Sequence, residues 1–163
     1  MNNNLNKRSS KSENLLTVKN LTHVYFQGKK SLKVLDNINF NLKKGEMVAL
    51  VGPSGSGKTT ILNLVGLLDV VQKGEIMLEG EQINSPNLKL KNNIRLNQIG
   101  FVFQSHRLLP EFSARENISI PQMLSGLTKN LALKRSDELL EMLGMIGKKH
   151  SKPGILSGGE QQR

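Results

Sequence analysis

The chain has 163 residues, 37% of them hydrophobic, and a formal net charge of +10, which is enough for one ordinary globular domain with a core. It contains no cysteine, and that excludes disulfide frameworks, thiolate zinc sites and cysteine nucleophiles. The positive charge would suit nucleic acid or an anionic membrane surface, and equally a nucleotide-binding protein whose acidic segments lie elsewhere; with no basic stripe interleaved with aromatics, no nucleic-acid partner is expected.

Residues 1–14 are polar, asparagine-rich and basic, with no apolar stretch of the kind a secretory signal needs. They read as a disordered tail ahead of one domain over residues 15–163. Residues 15–24 and 34–42 alternate apolar with polar side chains around a QGKKS turn, the pattern of two half-buried antiparallel strands. Residues 47–51 (MVALV) form a short apolar run ending at a glycine, which predicts a strand buried on both faces of a parallel sheet. A helix is expected over residues 59–68, and further strands over 75–78 and 99–103.

From Ser113 the pattern turns helical. Ser113 with Glu116 three residues later is a capping box, opening a helix expected to break near Pro121. Ala132, Leu139, Leu140, Leu143 and Ile146 share one helical face, with Gly147 placed as its C-terminal cap. Strands first and helices later predict an α/β core carrying a helical subdomain. The longest apolar run, residues 61–71, is interrupted by Asn63, Gly66 and Asp69 and falls short of the roughly 20 residues that span a bilayer. No fixed-period repeat is present.

The densest chemical signal is GPSGSGKTT: Gly52, Pro53, Ser54, Gly55, Ser56, Gly57, Lys58, Thr59 and Thr60. It matches the P-loop pattern in full, between an apolar run and a helical one. Its glycines let successive N–H groups curl inward around phosphates, and the helix that follows adds the positive end of its dipole. Lys58 is placed to reach the β- and γ-phosphates and the Thr59 hydroxyl to complete the coordination of Mg²⁺. The competing reading is a Gly/Ser linker that happens to contain a lysine. LSGGEQQR, residues 156–163, is less specific alone, since Ser-Gly-Gly before polar residues is equally a flexible turn or a helix start.

Taken together, the two motifs resemble those of ATP-binding cassette (ABC) ATPases, and the resemblance covers nearly everything from Leu15 to Arg163. It implies a P-loop nucleotide-binding domain with an antiparallel N-terminal sheet, a parallel core sheet and a helical subdomain. It also implies that Ser157, Gly158 and Gly159 contact the γ-phosphate of ATP held by a second copy in a head-to-tail homodimer. Tyr25 stands where the family stacks an aromatic on adenine; the alternative is a tyrosine packed at a sheet edge. Gln104 stands at the Q-loop position, whose side-chain carbonyl meets Mg²⁺ and the attacking water and whose loop senses the integral membrane subunits.

GLLD at residues 66–69 and SHRLLPEFSARENISIP at residues 105–121 are similar to the ATPases of lipoprotein-releasing systems. Macrolide exporters and cell-division systems share the plan. The resemblance implies ATP hydrolysis at the cytoplasmic face of the bacterial inner membrane, and it makes His106 a loop residue near the membrane-subunit contact. An apolar strand ending in Asp-Glu should follow the signature, with a switch histidine beyond. Neither occurs within the 163 residues, so the expectation is a C-terminally truncated domain without its general base, inactive alone or serving as a non-hydrolytic ATP-binding module. The single Asp-Glu pair, Asp137 and Glu138, follows LKRS and reads as a solvated helix face.

Overall fold

The computed structural model describes residues 13–163. The tail expected over residues 1–14 therefore lies outside the described residues except for Glu13 and Asn14, and Asn14 already belongs to the first strand. The chain divides into two compact units, Met1–Arg95 and Leu96–Arg163.

The first unit is built on a four-stranded sheet in the order β2-β1-β3-β4. β1 (Asn14–Gln27) and β2 (Lys30–Lys43) form the expected antiparallel pair, longer than the alternation predicted. β3 (Lys73–Leu78) lies antiparallel on the other side of β1, and the two-residue β4 (Glu81–Gln82) follows β3. Helix α1 (Lys58–Val65) follows the glycine-rich loop, and α2 (Leu88–Asn97) begins behind Asn87, whose side-chain oxygen accepts from the amides of Lys89 and Leu90.

A parity change in β1 shapes this core. Leu16 and Val18 are buried, as alternation demands, but the next buried residues are Leu21 and His23. Between them Asn20 takes a left-handed φ of 51° and the register with β2 shifts. One inserted residue moves the odd positions onto the inward face. Leu35, Ile61, Leu64, Leu67, Ile76, Ile83 and Ile94 complete the core of this unit.

The parallel core sheet is the expectation that the structure corrects. Among the described residues every strand pair is antiparallel. Residues 47–51 and 99–103 belong to no strand, and Met47, Val51 and Val102 are 98%, 85% and 89% exposed. Their composition is that of buried strands, but a strand exists only when a ladder satisfies its N–H and C=O groups. These two runs find no such partner among the described residues.

In the second unit, α3 (Ala114–Leu124) packs on α4 (Lys129–Met142). α3 continues through Pro121 instead of breaking there: the carbonyl of Pro121 accepts from the Ser125 amide at 3.0 Å, so the last turn closes normally. The buried stripe of α4 is Ala132, Ser136 and Leu140, at spacing four, while Leu143 and Ile146 are exposed. The helix stops at Met142, with Gly144 supplying the left-handed cap at φ 67°, and Gly147 falls inside a following 3-10 turn. Asp137 is no solvated residue either: it pairs with Arg115 across the two helices in a half-buried contact, whereas Glu138 pairs with Arg135 in the open. The short α5 (Gly158–Gln162) ends the chain.

Candidate functional site

The glycine-rich loop meets α1 at Gly57, and this position admits no other residue without strain. Its φ is 87°, and an added Cβ would stand 2.8 Å from the Leu35 side chain and 3.1 Å from the Val34 carbonyl oxygen. The loop is thus pressed against β2 by a residue without a side chain, which delivers the first turn of α1 beside the sheet. A helix leaves its first amides without intrahelical acceptors. At α1 no side chain caps them, and no acidic residue lies in the first turn.

Around that helix end, Tyr25, Val34, Ser54, Gly55, Gly57, Lys58, Thr59 and Thr60 line a cavity of about 290 Å³. Its lining holds one cation and no carboxylate. Lys58 folds back over the loop, donating from Nζ to the carbonyl oxygens of Gly52 at 2.9 Å and Pro53 at 2.7 Å. Gly52 and Pro53 therefore act on Lys58 and do not line the cavity, and Ser56 donates its amide to Pro53 at 3.3 Å to close the turn. The Thr59 side chain is exposed, while Thr60 is buried and its hydroxyl lies 3.4 Å from the Tyr25 hydroxyl. Uncapped amides, a lysine and a hydroxyl around a concave surface free of acids suit a polyphosphate with its cation.

Tyr25 is 41% exposed and belongs to this cavity. Its ring is held from two sides: by Thr60 at the hydroxyl and by the buried His23, whose ring meets it edge-to-face at 4.7 Å. The sequence reading reached Tyr25 and missed Val34 and His23. Val34 is an ordinary strand residue in sequence, and only the close approach of Gly57 to β2 brings it to the site.

In the second unit, Gln104 is exposed in a bend after residues 99–103 and not at the end of a strand. Just before it, Phe101 and Phe103 stack with centroids 5.3 Å apart, and the Arg107 guanidinium lies 4.2 Å over the Phe103 ring. Ser157 is the N-cap of α5: its hydroxyl accepts from the Glu160 amide at 3.3 Å, while the Glu160 carboxylate accepts from the Ser157 amide at 2.7 Å. That amide bond, the Ser157 hydroxyl and nearby Lys148 hold the Glu160 carboxyl below the usual carboxylate range. Gly158 and Gly159 form the first turn of α5, and no Cβ contact would oppose a side chain at either. Among the described residues no His, Asp or Glu cluster could hold a metal, and no helix is long and apolar enough to cross a membrane.

A glycine-rich loop with the full P-loop pattern, set between an antiparallel sheet and a helix and followed by a helical unit with a serine-capped Gly-Gly turn, fits the class of nucleotide-binding cassettes. The chain belongs to the ABC transporter family, whose model matches residues 35–163. It is 41% identical over 152 residues to the lipoprotein-releasing system ATP-binding protein LolD of Rickettsia bellii, covering 93% of this chain and 66% of that protein. It is 38% identical over 150 residues to the macrolide export ATP-binding/permease protein MacB of Mannheimia succiniciproducens, covering 92% of this chain and 23% of that one. Its fold matches the ATP-binding cassette MJ0796, solved as a dimer in a post-hydrolysis state bound to ADP and Pi, with a TM-score of 0.82 and 37% identity over 90% of this chain and 65% of that one. The chain thus spans about two thirds of the length of the LolD and cassette relatives. The α/β class expected from the sequence holds, and membership of this family implies nucleotide binding.

Proposed function

We propose that this chain is the nucleotide-holding part of the ATP-binding subunit of a lipoprotein-releasing ABC transporter. The observation that carries the reading is the convergence of the uncapped α1, Lys58 and Tyr25 on one cavity. In it, the triphosphate of ATP takes the first-turn amides of α1 and the Lys58 ammonium, which exchanges the Gly52 and Pro53 carbonyls for phosphate oxygens. The base stacks on Tyr25. Mg²⁺, when bound, neutralises phosphate charge, and the Thr59 hydroxyl and the Gln104 carbonyl are its proposed ligands.

Ser157, Gly158 and Gly159 serve a nucleotide held by a second copy, in a head-to-tail homodimer. In that role the Ser157 O–H, which the capping box turns toward the Glu160 carboxylate, exchanges that contact for a phosphate oxygen. Hydrolysis, docking to integral membrane subunits and residence at the cytoplasmic face of the bacterial inner membrane are proposed for the whole protein.

The test is release of a labelled lipoprotein from spheroplasts depleted of their own releasing ATPase. The whole protein should restore release, and its Lys58→Ala variant should not. The similarity to the macrolide exporter supports a second reading, and restored macrolide efflux without lipoprotein release would select it.

A further inference from the structure

We propose that His23 is a positioning residue for the nucleobase, holding the Tyr25 ring in the plane on which the base stacks, and that residues 69–72 fix it there. The inference rests on the reading of the cavity as an ATP site. His23 is 3% exposed and stands edge-to-face with Tyr25 at 4.7 Å. Its Nε2 is 4.0 Å from Oδ2 of Asp69, whose other oxygen accepts from the Val70 amide at 2.7 Å and so fixes the carboxylate.

The backbone between the two rings is clamped from the same segment. The β1–β3 ladder ends at the pair Thr22 and Lys73. Beyond it the Gln72 side chain takes over the ladder's work, its amide oxygen accepting from the Val24 N–H at 2.8 Å and its nitrogen donating to the Val24 carbonyl at 2.9 Å. Val24 lies between His23 and Tyr25, at a register shift with β2 where the ladder alone specifies orientation poorly.

This arrangement costs a buried imidazole whose Nδ1 has no hydrogen-bond partner among the described residues. A buried polar atom left unpaired is unfavourable, and an aliphatic residue would fill the core without that cost. An imidazole at this place instead presents a flat, rigid ring to Tyr25 and its Nε2 toward Asp69. Together with the Thr60 hydroxyl at 3.4 Å, it restrains a tyrosine that would otherwise swing about its χ angles at a largely open site. A ring ordered in advance spends less conformational entropy when the base arrives.

The chain has a single tyrosine and no tryptophan, so its near-ultraviolet emission reports this ring alone. MgATP and inorganic triphosphate are titrated calorimetrically into the parent chain and into Tyr25→Ala, His23→Ala and His23→Phe, and Tyr25 emission anisotropy is read in the His23 variants. His23→Ala should lower the Tyr25 anisotropy and weaken MgATP about fivefold to tenfold, within the range of base–aromatic stacking, while triphosphate affinity stays within about twofold. His23→Phe, which keeps a ring beside Tyr25 and gives up Asp69, should recover most of the loss. If Tyr25→Ala is selective for MgATP but His23→Ala weakens both ligands alike or neither, His23 is a packing residue and the inference fails while the ATP site stands. If Tyr25→Ala shows no selectivity for the base, the stacking assignment itself fails and takes the inference with it.

Discussion

Helices α1 and α3 begin with the same physical problem and solve it in opposite ways. At α3 the amides of Ala114 and Arg115 donate to the carbonyls of Ser151 and Lys149, and the Glu116 amide donates to the Ser113 hydroxyl. The Glu116 carboxylate adds a negative charge in the first turn and accepts from the Ser113 amide at 2.8 Å. At α1 a glycine replaces the capping side chain, a lysine stands at the first helical position, and no acid is present. The first end is finished from within the chain. At the second no side chain meets the donors, the arrangement an anion site needs and a structural turn does not, and this difference, more than the glycine content, is what the proposed phosphate site rests on.

The comparison can be broken most strongly at Lys58. Lys58→Ala removes the one cation lining the α1 cavity, and the loss of a charged hydrogen-bonding partner, about 1.5–3 kcal/mol, should weaken MgATP by roughly 10- to 100-fold in calorimetric titration. The same substitution should leave thermal stability nearly unchanged, since among the described residues the lysine bonds only two loop carbonyls.

Gly57→Ala attacks the geometry instead of the charge. A left-handed conformation costs an L-residue roughly 1–2 kcal/mol, and here the new Cβ also meets Leu35 at 2.8 Å. The expected outcome is a lower melting temperature together with weakened binding of both MgATP and inorganic triphosphate. Unchanged melting would mean that the loop can be re-seated without its contact to β2.

At α3 the expected losses are in stability and not in affinity. Ser113→Ala should cost about 1 kcal/mol in denaturant unfolding and leave MgATP binding as it was. A smaller effect concerns pH. Hydrogen bonds from the Ser113 backbone and then its side chain hold the Glu116 carboxyl below its ordinary value. A carboxyl depressed in the folded state stabilises above its unfolded pKa, and that contribution is lost as pH falls through the folded value. Acid should therefore destabilise the parent slightly more than Glu116→Gln, in paired unfolding curves taken from neutral pH downward.

How much of this was legible in the sequence differs by region for a physical reason. The hairpin of β1 and β2, the P-loop, α1 and the Ser113 capping box are local: turn residues, short-range periodicity and serine–glutamate spacing specify them within a few positions. Residues 47–51 and 99–103 carry the composition of buried strands, yet pairing is a property of two segments, and among the described residues no partner meets them. Pro121 reads as a breaker, but a helix anchored at its start and packed along α4 tolerates it. Gly144 and Gly147 compete for one cap, and the choice depends on where the α4 stripe of Ala132, Ser136 and Leu140 ends. His23 was hidden for a different reason. Strict alternation sets Leu16 and Val18 on the inner face and His23 on the outer one, until the left-handed Asn20 reverses the parity.

The most direct test of the account is a nuclear magnetic resonance titration of the isotopically labelled chain with inorganic triphosphate, which presents phosphate charge without a base. The prediction is that the amide resonances of Gly55, Gly57, Lys58, Thr59 and Thr60 shift on addition, while those of Ala114, Arg115 and Glu116, already bonded within the chain, stay in place. Static resonances in the loop, or shifts of equal size at the two helix starts, would contradict the claim that α1 was left uncapped to hold phosphate.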